Sequence, residues 1–530
     1  MTQEPAEGSD AKLGRREFIG TALKTGIGLA GAGLVAGGPL ALLGTQPASA
    51  SASHVSVVYP AVKPPGVPPN VRSYVSRPDL SPPAVTVSAV AGFPFTSDQP
   101  RYIFLAPRVT PGATYPVGVQ PGLMILDLKG DVVWFKPQVG NGTDPFNFRV
   151  QTYRGKPTLT WYQGNAGIGY STSGEYVLAD DTYNTIGTVQ SSNYPCDLHE
   201  FIVTAEDTAL HTAYQTDVKG PGGTTLIVSH AQEVDVATNK LLWDWSSYPA
   251  VSTADSYVST TGDYFHINSV DLWPGSARNV LISGRNTSTV YLIERSTKNI
   301  LWRVSGKQST FAMGADTPFS YQHDARALAD GSGFSVFDDA SQPSGEKLSS
   351  GKVITLNGTT KRATLRHQYF HTDVAIDTPS QGNCQLLPNG GHIVGWGAEP
   401  YFTCYRASGD SRNAETALDG RLPVGVESYR TLMFDWVGHP PQDELRLVVR
   451  PSGGTGHFTA WVSWNGATEV RAWRLSAGPS AHSLEVIKTV EKSSFETSIN
   501  FTRDGAQAFR VAAIDASGNV ISRTSVVSAT

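Results

Sequence analysis

Cysteine is scarce in this 530-residue sequence: Cys196, Cys384 and Cys404 are the only three, and none sits in a paired CxxC arrangement. So few thiols exclude a disulfide-stapled scaffold and a cysteine-built zinc knot. An odd count allows at most one internal bridge and leaves one thiol over. Cys384 and Cys404 flank a predicted hairpin, CQLLPNGGHIVGWGAEPYFTC, in which they can be cross-strand neighbours; the sequence leaves the pairing open. Charge is sparse too, at 16% of residues with a formal net charge of −5. A chain without a basic face does not collect phosphates from a nucleic-acid backbone, so no nucleic-acid partner is expected. Long amphipathic helical periods are missing, and so is a GxxxxGK[ST] phosphate loop. What is plentiful is glycine, with 53 residues, and proline, with 34.

Residues 1–52 read as an export signal, not as part of the fold. GRREFIG places Arg15 and Arg16 before Phe18 and Ile19, and a weakly apolar Gly/Ala/Leu run follows. This is the twin-arginine pattern, with small-residue cleavage sites at Ala48-Ser49-Ala50 or Ala50-Ser51-Ala52. The run is too glycine-rich for a good membrane anchor, and no lipobox cysteine is visible. The expectation is a secreted or cell-envelope protein, handed over by the twin-arginine machinery and keeping no membrane span after cleavage. Residues 53–100 are rich in proline and valine. Such chain cannot form helix and is expected to lie extended along the next unit as a lead-in.

From 101 to 435, short β-like runs alternate with Gly, Asn, Asp and Pro turns. One phrase recurs: LMILDLKGDVVWFKP, QEVDVATNKLLWDWS and YLIERSTKNILWRVS. In each, an apolar strand passes an acidic residue and a small turn into a strand bearing tryptophan, namely Trp134, Trp243 and Trp302. Recurrence of this unit predicts four-stranded blades set radially, an all-β propeller, and the length suits six of them. Residues 440–530 have short alternating strands and a core tryptophan. They predict an immunoglobulin- or fibronectin III-like β-sandwich acting as a packing or attachment module.

Three histidines recur near the same end of successive strands: His199 in CDLHEF, His266 in DYFHINSVD and His323 in YQHDARALADG. Inner propeller strands line a central channel, so residues at matching positions converge although far apart in sequence. His211, His230, His367, His371 and His392 lack the shared register and read as structural. Strand alternation turns Asp324 and Arg326 away from His323, toward a structural pairing across blades. Arg285 in LISGRNTS ends a strand after His266 and can turn back to the channel, where its fork of donors matches a tetrahedral anion. Three imidazoles and a guanidinium, read as having no carboxylates near them, suit nucleophilic and acid–base work on an anionic group. Metal binding by three histidines is the competing chemistry, and the neighbouring cation argues against it.

The run from about 195 to 405 resembles the arylsulfotransferase family, in the branch common among actinobacteria and fungi. The matching phrases, in order, are LHEF, FHINSVD, ISGRNTSTVYLIERSTKNILWRVSGK, QHDARALADG, FDDAS and QGNCQLLPNGGHIVGWG. The resemblance implies a six-bladed propeller that moves a sulfuryl group from an aryl sulfate to a phenolic acceptor with no nucleotide donor; no cofactor is expected, and no residue is assigned as a metal ligand. It places His323 on the family's nucleophile, which becomes a sulfohistidine. His266 and His199 fall on the two other channel histidines, and Arg285 on the anion-binding arginine. The expected reaction is ping-pong, with the acid–base role left open between His199 and His266. Two other readings stand beside it. One is a quinoprotein-like dehydrogenase binding pyrroloquinoline quinone and calcium; the other is an exported binding propeller without turnover.

Overall fold

The structure is a computed structural model describing residues 57–59, 70–94, 96–110, 118–138, 144–166, 169–171, 173–190, 193–341, 348–406 and 414–530. The segment read as an export signal lies outside the described residues, as do residues 53–56 and 60–69 of the lead-in. Helical segments among the described residues are only three or four residues long. The rest of the regular structure is strand.

The recurrent phrase has a local physical cause. An acidic side chain closes one strand and satisfies the turn that follows: Asp127 accepts the N–H groups of Lys129 and Asp131, Asp235 accepts the N–H and hydroxyl of Thr238, and the hydroxyl of Thr297 donates to Glu294. One residue then takes a left-handed conformation, Gly130 (φ 83°), Asn239 (φ 58°) or Lys298 (φ 64°), which reverses the chain. The strand that leaves carries the tryptophan outward. Trp134 stacks on Tyr183 with centroids 4.6 Å apart. Trp243 donates to the carbonyl of Arg295 at 2.9 Å, and Trp302 packs edge-on against Trp273 and Phe311.

Among the described residues, six mainly antiparallel sheets succeed one another along the chain. The second to fifth start on Asp144–Tyr153, Cys196–Val203, Ile267–Leu272 and His323–Ala327, and the sixth on Asn383–Leu386. The first is completed from the far end of the chain, because Val426–Phe434 pairs with Tyr102–Val109. These six starting strands touch one another in cyclic order, the last returning to the first. The architecture is all-β and propeller-like, and it brings residues from every sheet to one axis.

Five of the six starting strands are not regular. Their pairing register breaks between Phe146 and Arg149, Cys196 and Phe201, Ile267 and Ser269, His323 and Arg326, and Ser428 and Thr431. A bulge re-aims the side chains around it and increases local twist. Simple alternation therefore fails where the axis is lined, and Asp324 itself has φ 56°.

The lead-in does more than lie on a surface. Thr86–Ala89 pairs with Thr416–Arg421 at the outer edge of the sixth sheet, and Val57–Tyr59 pairs with Thr86–Ala89 in turn. Arg72 bonds Asp131 at 3.1 Å and the carbonyl of Gly130 at 2.9 Å. Farther along, Ser76 and Val75 donate their N–H groups to Glu496.

All three cysteines are buried, and the strand order corrects the hairpin reading of Cys384 and Cys404. Cys384 pairs with Val394, and Cys404 with Ile393, so the strand His392–Gly395 stands between them. They are two strands apart, not cross-strand neighbours.

Beyond residue 440 two further sheets share one apolar core that includes Val449, Val462, Leu475, Ile499, Phe509 and Val511. Trp473 is fully buried in it and its indole N–H donates to the hydroxyl of Thr497 in the facing sheet at 3.1 Å. Side chains on Leu445–Pro451 and Glu496–Thr502 alternate between buried and exposed, as a sheet with one dry face requires. Asn465 bonds the main chain of Phe135 in both directions at 2.9 Å, joining these sheets to the first one.

Candidate active site

Each of the three histidines reaches the axis by a different local route. His199 lies within the irregular strand Cys196–Val203, His266 precedes its strand at φ 55°, and His323 opens its own. A non-glycine residue at positive φ is uncommon and is held by its surroundings. His266 is held by its carbonyl, which accepts the N–H of Arg285 at 2.9 Å.

The expectation of no carboxylates nearby is wrong. Each imidazole binds one through Nδ1: His199 to Asp197 at 2.5 Å, His266 to Asp263 at 2.5 Å, and His323 to Asp339 at 2.6 Å. An ionised carboxylate only accepts, so Nδ1 carries a proton in each ring. For His323 an independent contact agrees, since Nε2 accepts the main-chain N–H of Gln381 at 3.2 Å.

The rings converge. His199 and His266 meet edge to face, with centroids 4.9 Å apart. Tyr429 sits between His199 and His323, at 5.8 and 6.3 Å, and Tyr214 closes the other side of His199 and His266. Arg285 follows the strand Val280–Gly284 in a single helical turn. Its guanidinium lies 4.7 Å over the ring of Tyr321 and donates to Asn286 Oδ1 and to the carbonyl of Pro379. It makes no ion pair among the described residues. Burial drives His323 well below the ordinary histidine range, and the charges of Arg285, His199, His266 and Arg430 push the same way. Burial also lowers His266, partly countered by Asp263. Burial pushes the carboxyl of Asp339 up while Arg285 pulls it down; the Gln381 contact keeps the shared proton on Nδ1 of His323.

A buried ionic layer is built from the same starting strands. Arg430 reaches Asn147 at 2.6 Å, Glu200 at 3.1 Å, Asp324 at 3.0 Å and the carbonyl of Asn268 at 3.2 Å. Arg326 pairs with Glu200 and with Asp324, and Arg149 with Glu200 at 3.2 Å. Asp324 and Arg326 are thus structural and tie the fifth sheet to the first and third. Glu200, Arg149, Arg430 and Tyr429 were not singled out from sequence, because none repeats a motif.

The histidines set aside from sequence are engaged elsewhere. His230 bonds Asp244 at 2.9 Å, His371 pairs with Asp419 at 3.3 Å, His392 meets the hydroxyl of Tyr369 at 2.9 Å, and His211 lies against the carbonyl of Thr212. His367 stacks on Tyr369. Among the described residues no group of three or more His, Cys, Asp or Glu side chains is arranged to hold a metal ion. No helix among them is long and apolar enough to cross a membrane.

A family model described as arylsulfotransferase (ASST) matches residues 149–413, half of the chain. The chain belongs to the arylsulfotransferase family. The matched span contains His199, His266, Arg285 and His323 with their three carboxylate partners, whereas Tyr429 and Arg430 follow it. Membership in the arylsulfotransferases supports sulfuryl transfer as the general activity. No curated protein matches the chain. Among solved structures, the chain is similar to a protein of unknown function from Bacteroides caccae, at 13% identity and TM-score 0.33, covering 60% of this chain and 94% of that one. It is similar as well to a putative 6-phosphogluconolactonase from Bacteroides fragilis, at 9% identity and TM-score 0.37, covering 64% and 99%. Hydrazine synthase from Kuenenia stuttgartiensis aligns at 10% identity and TM-score 0.32, covering 54% and 70%.

Proposed function

We propose that this protein transfers a sulfuryl group from an aryl sulfate to a phenolic acceptor, without a nucleotide donor, through a sulfohistidine at His323. The observation that carries the reading is the convergence of three carboxylate-held imidazoles beside a guanidinium that makes no ion pair among the described residues. We read the six successive sheets as six blades around a channel, spanning 101–435 with a β-sandwich at 440–530, and the twin-arginine leader as the route of export.

In the first half-reaction Arg285 and His266 hold the sulfuryl oxygens. Nε2 of His323 gives its lone pair to sulfur, in line with the phenolic oxygen that leaves with the S–O electron pair. His199 or His266, in its imidazolium form, supplies from Nε2 the proton that oxygen needs and is left neutral. In the second half-reaction an acceptor phenol, deprotonated by the same imidazole, takes the group back from nitrogen. As in phosphoryl transfer, most of the catalysis comes from placement and charge compensation. A neutral His323, kept so by burial and nearby cations, is the form with a free electron pair. The quinone-and-calcium reading has less support, because the axial carboxylates Glu200 and Asp324 are already engaged by guanidinium groups.

The test is release of nitrophenolate from 4-nitrophenyl sulfate with and without phenol. A transferase releases it in a phenol-dependent manner and yields phenyl sulfate. A binding protein without turnover releases none, which would refute the reading.

A further inference from the structure

The phrase FDDAS, residues 337–341, has no role in the reaction as described so far. Its two acids do separate things. Asp338 accepts the N–H groups of Ser320 and Ala340, both at 2.9 Å, and pairs with Lys352 at 2.9 Å, both side chains being fully buried. Lys352 also donates to the carbonyl of Pro318 at 2.6 Å. Asp338 therefore fastens the segment leading into His323 onto the strand Gly333–Asp338. The next carbonyl, that of Asp339, accepts the hydroxyl of Ser349 at 3.0 Å, and Ser349 in turn accepts the N–H of Thr378. The backbone of Asp339 is clamped on both sides.

The side chain of Asp339 differs from that of Asp197 in one respect that matters, and shares it with Asp263, whose Oδ1 also lacks a partner among the described residues. Asp197 is saturated: besides His199 Nδ1 it accepts from the N–H groups of Ser171 and His199 and from the hydroxyl of Thr212. Asp339 is fully buried and, among the described residues, bonds only His323 through Oδ2 and leaves Oδ1 with no partner. A buried carboxylate with a bare oxygen is costly beside a neutral ring and far less so beside a cation. The pair is matched to a charged imidazole, and the resting ring is not charged.

We propose that Asp339 is a positioning residue that fixes the Nδ1 proton of His323 and compensates the positive charge this ring acquires when Nε2 carries SO3, an inference that rests on the sulfuryl-transfer reading. When the Nε2 lone pair forms the N–S bond and the S–O electron pair departs on the phenolate, the ring still holds its Nδ1 proton and becomes an N-sulfoimidazolium. Asp339 accepts that proton's hydrogen bond throughout and takes up the charge. On return transfer the N–S electron pair goes back to Nε2, and the neutral ring is restored. Stabilisation that grows as the intermediate forms speeds the step, whereas equal stabilisation of both states would not.

The experiment is rapid acid quench and mass spectrometry of the wild-type protein and of Asp339→Asn, each mixed with 4-nitrophenyl sulfate alone, with thermal unfolding as a check on folding. Asparagine keeps the shape but presents an N–H₂ that can turn the ring to the other tautomer. The adduct is expected on His323 in the wild type and to form roughly 100-fold or more slowly in the variant. Equal rates overturn this inference alone. A wild-type protein that never carries SO3 on His323 removes the transfer reading and this one with it. Should Asp339→Asn fail to fold, nitrogen-15 NMR of the wild-type histidines decides: a proton on Nδ1 and none on Nε2 of His323 at pH 7 is expected, and the reverse overturns the assignment.

Discussion

The imidazoles of His199 and His266 meet edge to face, centroids 4.9 Å apart and planes at 83°, although 67 residues separate them in sequence. Both rings keep Nδ1 on a carboxylate. A site of this kind is assembled by whole sheets, so its parts have separable effects.

Arg285 makes no ion pair among the described residues, and its replacement should cost function more than stability. Arg285→Ala is expected to lower kcat/KM for the sulfate donor by about 100-fold, through loss of the charge-assisted bonds to the sulfuryl oxygens. Arg285→Lys should recover only part of this, because an ammonium lacks the planar fork. Steady-state kinetics and thermal unfolding of both variants check it; a large fall in Tm with unchanged kinetics would count against the role.

Glu200 is the buried anion shared by Arg149, Arg326 and Arg430. Glu200→Gln leaves three guanidinium groups facing Asp324 and should destabilise the protein by about 3–5 kcal/mol. The exposed pair Arg101–Asp435 is the contrast, and Arg101→Ala should cost less than about 1 kcal/mol. Urea unfolding of the two variants separates these costs.

How much of this was legible beforehand depends on what kind of repeat carried it. His199, His266 and His323 could be found because the strands that bear them recur, and Trp134, Trp243 and Trp302 because their turns do. Their carboxylate partners follow no common spacing: Asp197 stands two residues before its histidine, Asp263 three before, and Asp339 sixteen after, at the end of a neighbouring strand. Tyr429 and Arg430 come from the strand that closes the first sheet at the far end of the chain, and nothing local marks them. Alternation placed Asp324 and Arg326 away from His323, but the bulge between His323 and Arg326 is a feature of tertiary strain that a period of two cannot express. Likewise, proline-rich chain predicts extended structure, yet its sequence does not name the strand edge it will join.

Acid lability should follow from the buried neutral histidines. His392 is held down to about 3, mainly by burial, from an ordinary value of 6.5. Below about pH 6.5 the unfolded chain takes up a proton that the folded one refuses, so stability falls with falling pH by about 1.4 kcal/mol per unit per group, and the fall continues toward pH 3. His323, His266 and His211 shift in the same direction. His392→Gln removes one such group, and its unfolding free energy between pH 6 and pH 4 should decline less steeply by about that amount. Coincident slopes in urea titrations at the two pH values would contradict it.

The most direct measurement is mass spectrometry of the proteolysed protein after exposure to 4-nitrophenyl sulfate without acceptor. The account predicts one added SO3 on the peptide bearing His323, discharged by phenol and lost in His323→Ala. Phenol-dependent turnover that persists in His323→Ala, or an adduct on any other residue, would contradict it.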